Sequence, residues 1–455
     1  MNATRTLLAD LSRLSHEPLP EATLAIARLR LLDYLGVTMA GADMLREKVN
    51  RLLQPEAEPM PPAHSAGVIG FARNASPMLA ALANGMSAHV AELDDGERYG
   101  AVHPGAPVIS AVLAVSEARG LTMSDLLRGV VVGYEATIRL AGAMQTGLKD
   151  QGYHATGVCG TVGAALGAAA ASRCSEQQTN TVLAAAATSA AGLLAVVRGA
   201  SELKSYNAGH AAQAGVNALM MAEAGFLGPL DVLDGKRGLL DIMSAGQTDG
   251  LLPREPGQPL AIHRVYVKPY AACRHCHAPI EAALRLRETH GLQAEQVRSV
   301  RVVTHRWAVH LHDHTHIDGI TAAKMSIPYS VAVALKTGAA GLDAFTFEQI
   351  RDPVTQALTQ RVTVEDDDAL TAQVPRVRPA IVEITTESGA RYRQQIDLPK
   401  GEPETAMSPE EMQAKFLALA AYAGRSEATA NAIMTAVLQE HGPIRGFTTR
   451  LRPLL

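Results

Sequence analysis

Apolar residues recur at helical spacing through most of the first 250 positions of the chain. A stripe from Leu24 to Leu35 predicts a helix that opens at Pro20-Glu21 and ends at Gly36. Ser76-Pro77 has the pattern of an N-cap followed by proline at the first helical position, and it predicts a helix that reaches His89. This part of the chain is therefore predicted to be almost entirely helical.

Two further helix starts are marked by serines. Ser124 begins a helical segment that runs to Leu140, and Ser175 forms a capping box with Gln178 before the apolar run Val182 to Val197. That run is rich in alanine and shorter than the roughly 18 to 20 residues that a membrane-spanning helix needs. We therefore expect it to be a buried helix.

The pattern changes near residue 260. Dense β-branched residues at Val300–Val303 and Arg361–Val364 predict two short strands. Ile381–Ile396 predicts a hairpin that turns at Ser388-Gly389. The helices predicted in this part and after it are Ala278–His290, Tyr329–Lys336, one capped at Ser408, and Ala428–Gln439. The elements together predict a mainly α protein, with an all-helical domain of residues 1–264 and 400–455 and a smaller α+β domain of residues 265–399 inserted before the C-terminal helices.

The charge balance and the low aromatic content of the chain limit what it binds and how its core is packed. Among the 455 residues, 41 Lys plus Arg stand against 45 Asp plus Glu, for a net charge of −4, so no basic field attracts nucleic acid. Aromatic residues make up only 4% of the chain, so the core must be filled by Ala, Leu and Val. The small residues of 163–171 would let helix backbones approach closely.

The number of cysteines and the residues near the amino terminus indicate the cellular compartment. Four cysteines are too few for a disulfide scaffold and fit a reducing environment. Asp10, His16 and Glu17 lie where a secretory signal would need an apolar segment. We therefore expect a cytoplasmic protein that does not bind a membrane.

Acids and histidines gather at predicted helix ends. Glu92, Asp94 and Asp95 directly follow the helix that carries His89, and His103 precedes the next apolar run. Orphan backbone N–H groups at helix ends favour anions, so this cluster is a candidate site. The same residues also have a structural interpretation, in which the aspartates are caps and the histidine is a satisfied core group.

Two further polar segments precede apolar helices. His154 lies in a loop before an Ala/Gly-rich helix, and a histidine there could act as a general acid or base because its ordinary pKa lies near 6.5. Lys204 precedes a helix that is poor in charge, and a lysine beside buried apolar surface usually has an anionic partner.

The segment Cys273 to His277 matches the pattern of c-type haem attachment, but that attachment requires export and no export signal is evident. Cys273 and Cys276 have two other interpretations, a redox pair or half of a zinc site. The two remaining cysteines of the chain lack the spacing that would complete a zinc site. The alternating histidines His310 to His316 lack the spacing of a helical ligand pair, so we expect a polar loop there.

Taken in chain order, these segments resemble the MmgE/PrpD family, which contains 2-methylcitrate dehydratase, the cis-aconitate decarboxylases and iminodisuccinate epimerase. The resemblance covers nearly the whole chain. It rests on Asn84-Gly85 with His89, Asp94-Asp95 and His103-Pro104-Gly105; on Gly152-Tyr153-His154 with Thr156; on Lys204 with Gly209; on Lys268-Pro269-Tyr270; and on Ala323–Tyr329.

The resemblance implies a large helical domain, a smaller lid domain, a homodimer, a small polycarboxylate substrate, and neither cofactor nor metal. It implies catalytic roles for Asp94, His103, His154 and Tyr329, and substrate-binding roles for Lys204 and Lys268. The chain departs from the family pattern at three places, one of which is Gly96, where a Thr commonly follows the Asp pair. Glu92 stands where decarboxylases and dehydratases carry an additional Asp, and Cys273 stands where decarboxylases place a catalytic histidine. We assign Glu92, Cys273 and the nearby His277 to substrate binding as well.

Dehydration, decarboxylation and epimerisation of polycarboxylates all develop charge on a carbon next to a carboxylate. Lys204, Lys268 and His103 would stabilise that charge. We hypothesise that His154 acts as base or acid, that Tyr329 is a second proton donor, and that Asp94 orients a histidine.

The sequence therefore predicts a cofactor-independent lyase, a dehydratase or decarboxylase, acting on a citrate- or aconitate-like acid. The alternative is an epimerase or isomerase of an amino- or imino-dicarboxylate such as iminodisuccinate. Two other classes of function remain open: a non-catalytic helical interaction protein, and a metal or haem protein.

Overall fold

The computed structural model describes residues 2–56, 61, 64–197, 201–248, 250–255 and 257–452. The chain forms two compact units, each described separately below. The first contains Met1–Val196, Leu203–Val265 and Ser408–Leu455, and the second contains Val197–Glu202 and Tyr266–Met407. Residues 400–407, which the sequence analysis placed in the helical domain, thus belong to the second unit.

The chain is mainly α, with a small α+β region, as the sequence predicts. The helices in chain order are α1 Ala3–His16, α2 Glu21–Met44, α3 Arg46–Leu53, α4 Pro77–Val90, α5 Gly105–Arg119, α6 Met123–Met144, α7 Gly147–Asp150, α8 Ala155–Ala171, α9 Glu176–Ser189, α10 Lys204–Glu223, α11 Leu239–Ser244, α12 His277–His290, α13 Arg306–His312, α14 Ile320–Met325, α15 Ile327–Thr337, α16 Phe347–Arg351, α17 Pro353–Thr359, α18 Asp368–Thr371, α19 Pro409–Tyr422, α20 Glu427–Gln439 and α21 Ile444–Thr448. None of the helices formed by the described residues is both long and apolar enough to cross a membrane.

Several predicted helix starts are confirmed by their capping bonds. The Ser76 hydroxyl accepts from the Leu79 N–H, and Ser175 and Ser408 each complete a capping box. The start predicted at Ser124 is wrong by two residues, because Thr122 is the N-cap and Asp125 completes its capping box.

Two predicted helix ends are also wrong. Helix α2 continues through Gly36 to Met44, since that glycine lies in the interior and packs against Phe416 of α19 rather than ending the helix. The apolar run from Val182 is not one helix, because α9 ends at Ser189 and a separate 3-10 turn covers Leu194–Val197.

The centre of the first unit is α8, in which every residue from Ala155 to Ala171 is buried. It crosses α6 at unusually close range through glycines. A Cβ atom added at Gly163 would lie 2.6 Å from the Gly133 carbonyl oxygen, and one added at Gly167 would lie 2.7 Å from the Gly129 carbonyl oxygen. Real Cβ atoms do not approach backbone this closely, so glycine on both helices is what permits the crossing.

A second glycine contact joins α4 to α10. A Cβ added at Gly85 would lie 2.8 Å from the Gly209 Cα. This contact holds the end of α4, which carries His89, near the beginning of α10, where Lys204 is the first helical residue. Close helix packing therefore sets the positions of two candidate site residues.

The second unit is built on a sheet of four strands, β3 Val297–Thr304, β4 Val362–Asp366, β5 Ala380–Thr386 and β6 Arg391–Ile396, in the order β4-β3-β5-β6. β3 pairs in parallel with β4 and antiparallel with β5, and β5 pairs antiparallel with β6. The hairpin predicted over Ile381–Ile396 is confirmed, with Gly389 in the turn at φ +87°. The first unit contains two short strands, β1 Ala66–Gly67 and β2 Asn74–Ala75.

The glycine crossing yields a stability prediction. Gly163→Ala should lower the free energy of unfolding by about 1–3 kcal/mol, because its methyl group would overlap the Thr137 hydroxyl and the Gly133 carbonyl. Gly142→Ala in α6 is the matched control, since a Cβ there meets nothing within 4 Å, and it should be neutral or slightly stabilising. Urea denaturation followed by circular dichroism measures both variants. Equal stability of the two variants would contradict the role given to the crossing.

Candidate active site

The first unit brings several of the predicted polar residues together. His89 lies at the end of α4, His103 just before α5, and His154 is the N-cap residue of α8. The ring centroid of His89 lies 5.2 Å from that of His103 and 5.9 Å from that of His154. Three imidazoles thus converge where helix ends meet, beside Asp94 and the Lys204–Glu92 pair.

Asp94 is the carboxylate of this histidine cluster. Its Oδ2 atom lies 2.6 Å from the His89 Nδ1 atom and 3.5 Å from the His103 Nδ1 atom. The shorter distance is that of a charge-assisted hydrogen bond, in which the His89 Nδ1–H donates to the carboxylate. Asp94 therefore orients the imidazole of His89 directly.

The hydrogen bonds of His103 define its tautomer. Its Nδ1 atom lies 2.7 Å from the Asp95 carbonyl oxygen, and a carbonyl can only accept. The Nδ1 atom must then carry the proton, so the neutral ring presents a lone pair at Nε2. The His103 backbone N–H donates to the Thr156 hydroxyl at 3.1 Å, which fixes this residue to the first turn of α8. His103 is thereby prepared to accept a proton.

His154 has the opposite tautomer. The Asn207 Nδ2 atom lies 3.2 Å from the Leu193 carbonyl oxygen and 3.1 Å from the His154 Nδ1 atom. Because the carbonyl can only accept, this side-chain atom of Asn207 is the amide nitrogen, and it donates to both partners. His154 Nδ1 is therefore an acceptor, and the proton of the neutral ring sits on Nε2.

Burial keeps His154 neutral. Its pKa is lowered well below 6.5, first by burial and then by the electrostatic effects of the neighbouring His89, Lys204 and His103. Because the bond at Nδ1 places the proton of the neutral ring on Nε2, His154 can donate a hydrogen bond from Nε2–H without being charged. The cluster therefore contains one imidazole prepared to accept a proton, His103, and one prepared to donate a hydrogen bond, His154.

Lys204 forms an ion pair with Glu92. Their side chains are 13% and 6% exposed, so the pair is largely withdrawn from water but one side of the lysine is accessible. Glu92 adopts a left-handed backbone conformation with φ +56°, which costs energy for a residue with a Cβ. The Lys415 ammonium supports this segment by donating to the Leu93 carbonyl at 3.0 Å.

Asp95 anchors the loop between α4 and α5. Its carboxylate accepts from the Gly105 N–H at 3.0 Å and from the Tyr134 hydroxyl at 2.7 Å. Burial raises the pKa of Asp95 to about 7, against the lowering effect of the Tyr134 hydrogen bond. Asp95 is thus a structural acid of the site, next to the aspartate that contacts His89.

The residues His89, Asp94 and His103 also have the composition of a metal site. Their ligand atoms lie within 4.8 Å of one another, and within the described ranges no other group of three or more His, Cys, Asp or Glu residues has this spacing. Both Nδ1 atoms donate to oxygen acceptors, so a metal ion would have to bind the two histidines through Nε2.

The second unit holds the other predicted site residues. Lys268 is fully buried, and Cys273 is partly buried. Tyr329 is 1% exposed, and its hydroxyl donates to the Ala344 carbonyl at 2.8 Å, so its proton is already engaged. Burial also raises the pKa of the Tyr329 hydroxyl.

Both ring nitrogens of His277 are bonded inside the second unit. Its Nδ1 atom accepts from Arg274 at 2.9 Å, and its Nε2 atom lies 3.1 Å from the Ala272 carbonyl oxygen. Arg274 in turn forms a buried ion pair with Glu402. In this structure His277 organises the turn that follows Cys273.

The polar loop expected over His310–His316 is only partly correct. Arg306–His312 is helix α13, and His312 is buried because its Nδ1 atom bonds to the Met325 carbonyl at 2.6 Å. The rest of the segment is irregular, and His316 is exposed beside Asp318.

Two residues of the cluster, Asn207 and His89, are not among the site residues predicted from the sequence. Asn207 lies three residues after Lys204, which places it one helical turn further along the same face of α10. That spacing was an available signal for Asn207. The role of His89 was visible only as its position before the acidic cluster, because its contact with Asp94 depends on the turn at Ala91–Leu93.

Comparison with known proteins extends this picture. The MmgE/PrpD N-terminal domain model matches residues 7–251, and the MmgE/PrpD C-terminal domain model matches residues 270–440. The chain is 25% identical over 438 residues to a cis-aconitate decarboxylase of Aspergillus terreus, covering 90% of this chain and 87% of that protein. It is 27% identical over 364 residues to the cis-aconitate decarboxylase of Homo sapiens, covering 75% and 72%. It is 24% identical over 388 residues to the cis-aconitate decarboxylase-like protein oryM of Aspergillus oryzae, covering 80% and 79%.

The buried state of Asp95 predicts a pH dependence of stability. Because its folded-state pKa is raised to about 7, the folded protein retains a proton that the unfolded chain has lost. The stability that this proton contributes is present below about pH 4 and is lost as the pH rises through about 7. Asp95→Asn should therefore flatten the decline in Tm between pH 5.5 and pH 8, as measured by calorimetry. Asp43→Asn, at a half-exposed surface pair, is the control and should leave the wild-type profile unchanged. An unchanged profile in Asp95→Asn would contradict the assignment.

Proposed function

Because the chain belongs to the MmgE/PrpD family, we propose that it is a cofactor-independent lyase acting on a citrate- or aconitate-like polycarboxylate. Family membership and the names of the relatives support a function of the dehydratase or decarboxylase type. The observation that carries the proposal further is the opposite tautomers of His103 and His154 beside the Lys204–Glu92 pair.

The chemistry needs stabilisation of negative charge. When water, carbon dioxide or a proton leaves a polycarboxylate, charge develops on a carbon next to a carboxylate group. A cation and preorganised hydrogen-bond donors near that carboxylate lower the barrier. We assign the cationic role to Lys204, and the role of donor to His154 through its Nε2–H.

His103 is the proposed base. Its Nε2 lone pair would take a proton wherever the reaction breaks a C–H bond, as dehydration and epimerisation do. Asp94 and His89 are proposed as positioning residues, because Asp94 bonds to His89 and lies beside the His103 ring. Decarboxylation breaks a C–C bond instead and needs only an acid, so the requirement for His103 distinguishes the reaction classes.

We keep Lys268 and Tyr329 of the second unit as proposed substrate-binding and proton-donating residues. For Tyr329 this role requires its hydroxyl to leave the Ala344 carbonyl during the reaction. The second candidate function is epimerisation of an amino- or imino-dicarboxylate. It is favoured by Cys273, a thiol where the decarboxylase pattern has histidine, because a thiol can return a proton to carbon.

The test of the proposed function is proton NMR in deuterated water. The purified chain is incubated separately with methylcitrate, cis-aconitate, trans-aconitate and iminodisuccinate. New vinyl signals would identify a lyase, and deuterium entering an unchanged skeleton would identify the epimerase. No change in any of the four substrates would contradict both candidates.

The histidine roles predict different variant effects. His154→Ala should lower kcat by about 100-fold or more for any of these reactions, because a preorganised donor is lost. His103→Asn should have a similar effect only where a C–H bond is broken. His16→Ala, at the exposed end of α1, is the control and should retain wild-type turnover. Full turnover by His154→Ala, in protein shown to be folded by circular dichroism, would contradict its role.

The ion pair predicts an effect on substrate binding. Lys204→Met would leave Glu92 buried without its cation, so the double variant Glu92→Gln/Lys204→Met is compared with Glu92→Gln alone. Losing the cation should raise KM by about 10-fold or more, since hydrogen bonds to charged groups contribute roughly 1.5–3 kcal/mol. Steady-state kinetics measures the change. An unchanged KM in the double variant would show that Lys204 does not hold the substrate carboxylate.

A further inference from the structure

A cysteine and a histidine form a bonded pair within the second unit. The Cys273 Sγ atom lies 3.8 Å from the His312 Nε2 atom. The Nδ1 atom of His312 bonds to the Met325 carbonyl oxygen at 2.6 Å. Because a carbonyl can only accept, Nδ1 carries the proton and Nε2 presents its lone pair to the thiol.

Three separate elements fix this geometry. Cys273 caps the 3-10 turn Arg274–Cys276, and its backbone N–H donates to the Lys324 carbonyl at 2.8 Å. His312 ends α13, and Met325 ends α14. Nucleophile, base and an orienting acceptor in this order are the arrangement that activates cysteine in many enzymes. The thiol is thus not an isolated core cysteine.

The surroundings of the pair are rich in titratable groups. The His275 ring lies 5.1 Å from the His305 ring and 5.2 Å from the His312 ring, measured between centroids. His312 and Met325 also line a cavity of about 430 Å³, to which His310, Asp313 and His314 contribute. The cavity therefore borders the pair on the side of His312.

We propose that Cys273 and His312 form a proton-transfer pair, in which the Cys273 thiol returns a proton to the reacting carbon. This inference rests on the proposed function. In the step, the S–H bond breaks and a C–H bond forms at the carbanion that remains after carbon dioxide or a proton has left. The resulting thiolate regains its proton from water through the Nε2 atom of His312. His312 is a positioning and proton-relay residue, and Cys273 is the acid.

Zinc binding is the main competing use of a thiol and an imidazole. A tetrahedral zinc site needs further ligands, and within the part of the chain that the structure describes no third ligand atom joins this pair at 4.8 Å spacing. Elemental analysis of the purified protein decides the point. Stoichiometric zinc that is lost in both Cys273→Ala and His312→Gln would overturn the proposal, since a metal-bound thiolate cannot deliver a proton.

The pair itself is tested without any substrate. Iodoacetamide is added at pH 7, and alkylation of each cysteine is followed by mass spectrometry. Cys273 should react at least about 10-fold faster than Cys174, which is also partly buried but whose pKa is raised by burial. His312→Gln should slow alkylation of Cys273 by about 10-fold and leave Cys174 unchanged. His310→Gln, at an exposed position on the same helix, is the control and should change neither rate.

Turnover tests the catalytic role. Cys273→Ala should lower kcat about 100-fold with KM changed less than about threefold, and Cys273→Ser should fall between it and the wild type. If the wild type turns over a substrate of the panel and Cys273→Ala keeps its kcat, the inference fails while the proposed function stands. If the wild type changes no substrate, the proposed function fails and the acid role fails with it, whereas the alkylation rates still measure whether the pair exists. Equal alkylation of Cys273 in wild type and His312→Gln would overturn the pairing.

Discussion

The close approach of helix backbones is the constraint on which the first unit depends. Gly129 and Gly133 on α6 face Gly163 and Gly167 on α8, and Gly85 on α4 faces Gly209 on α10. Each contact removes side chains from the helix interface and brings the ends of the helices within reach of one another. A core with few aromatic residues is therefore suited to a site that is built from helix termini.

The chemistry of the histidine cluster is controlled by acceptors that cannot change their role. A backbone carbonyl can only accept, so the Asp95 carbonyl keeps the proton of His103 on Nδ1. The Leu193 carbonyl orients the amide of Asn207, whose N–H group donates to His154 Nδ1, so that nitrogen carries no proton. The same logic applies to His312 and the Met325 carbonyl in the second unit. Two histidines of one cluster are in this way given opposite tautomers, His103 by a backbone carbonyl directly and His154 through the Asn207 amide.

Much of the fold was predictable from local signals. Serine caps, β-branched runs and the Ser388-Gly389 turn mark elements because their chemistry is contained in a few neighbouring residues. Gly36 was misleading, since a glycine that accommodates Phe416 has the same local signature as one that ends a helix. Site residues could be found as types at helix ends, but two roles could not. The role of His89 depends on the turn that brings Asp94 to its ring, and the role of Asn207 depends on a hydrogen bond to a residue 53 positions away.

Whether His154 carries its proton on Nε2 or on Nδ1 depends on a single side-chain atom of Asn207, the amide nitrogen. An amide in this place donates to His154, whereas a carboxylate of the same shape would accept from it and move the ring proton from Nε2 to Nδ1. Deamidation of Asn207 would thus convert a hydrogen-bond donor of the cluster into an acceptor while the packing stays the same. Nitrogen-15 NMR of the imidazole would detect that inversion. Deamidation of this one side chain would therefore remove the hydrogen-bond donor of the cluster without unfolding the protein.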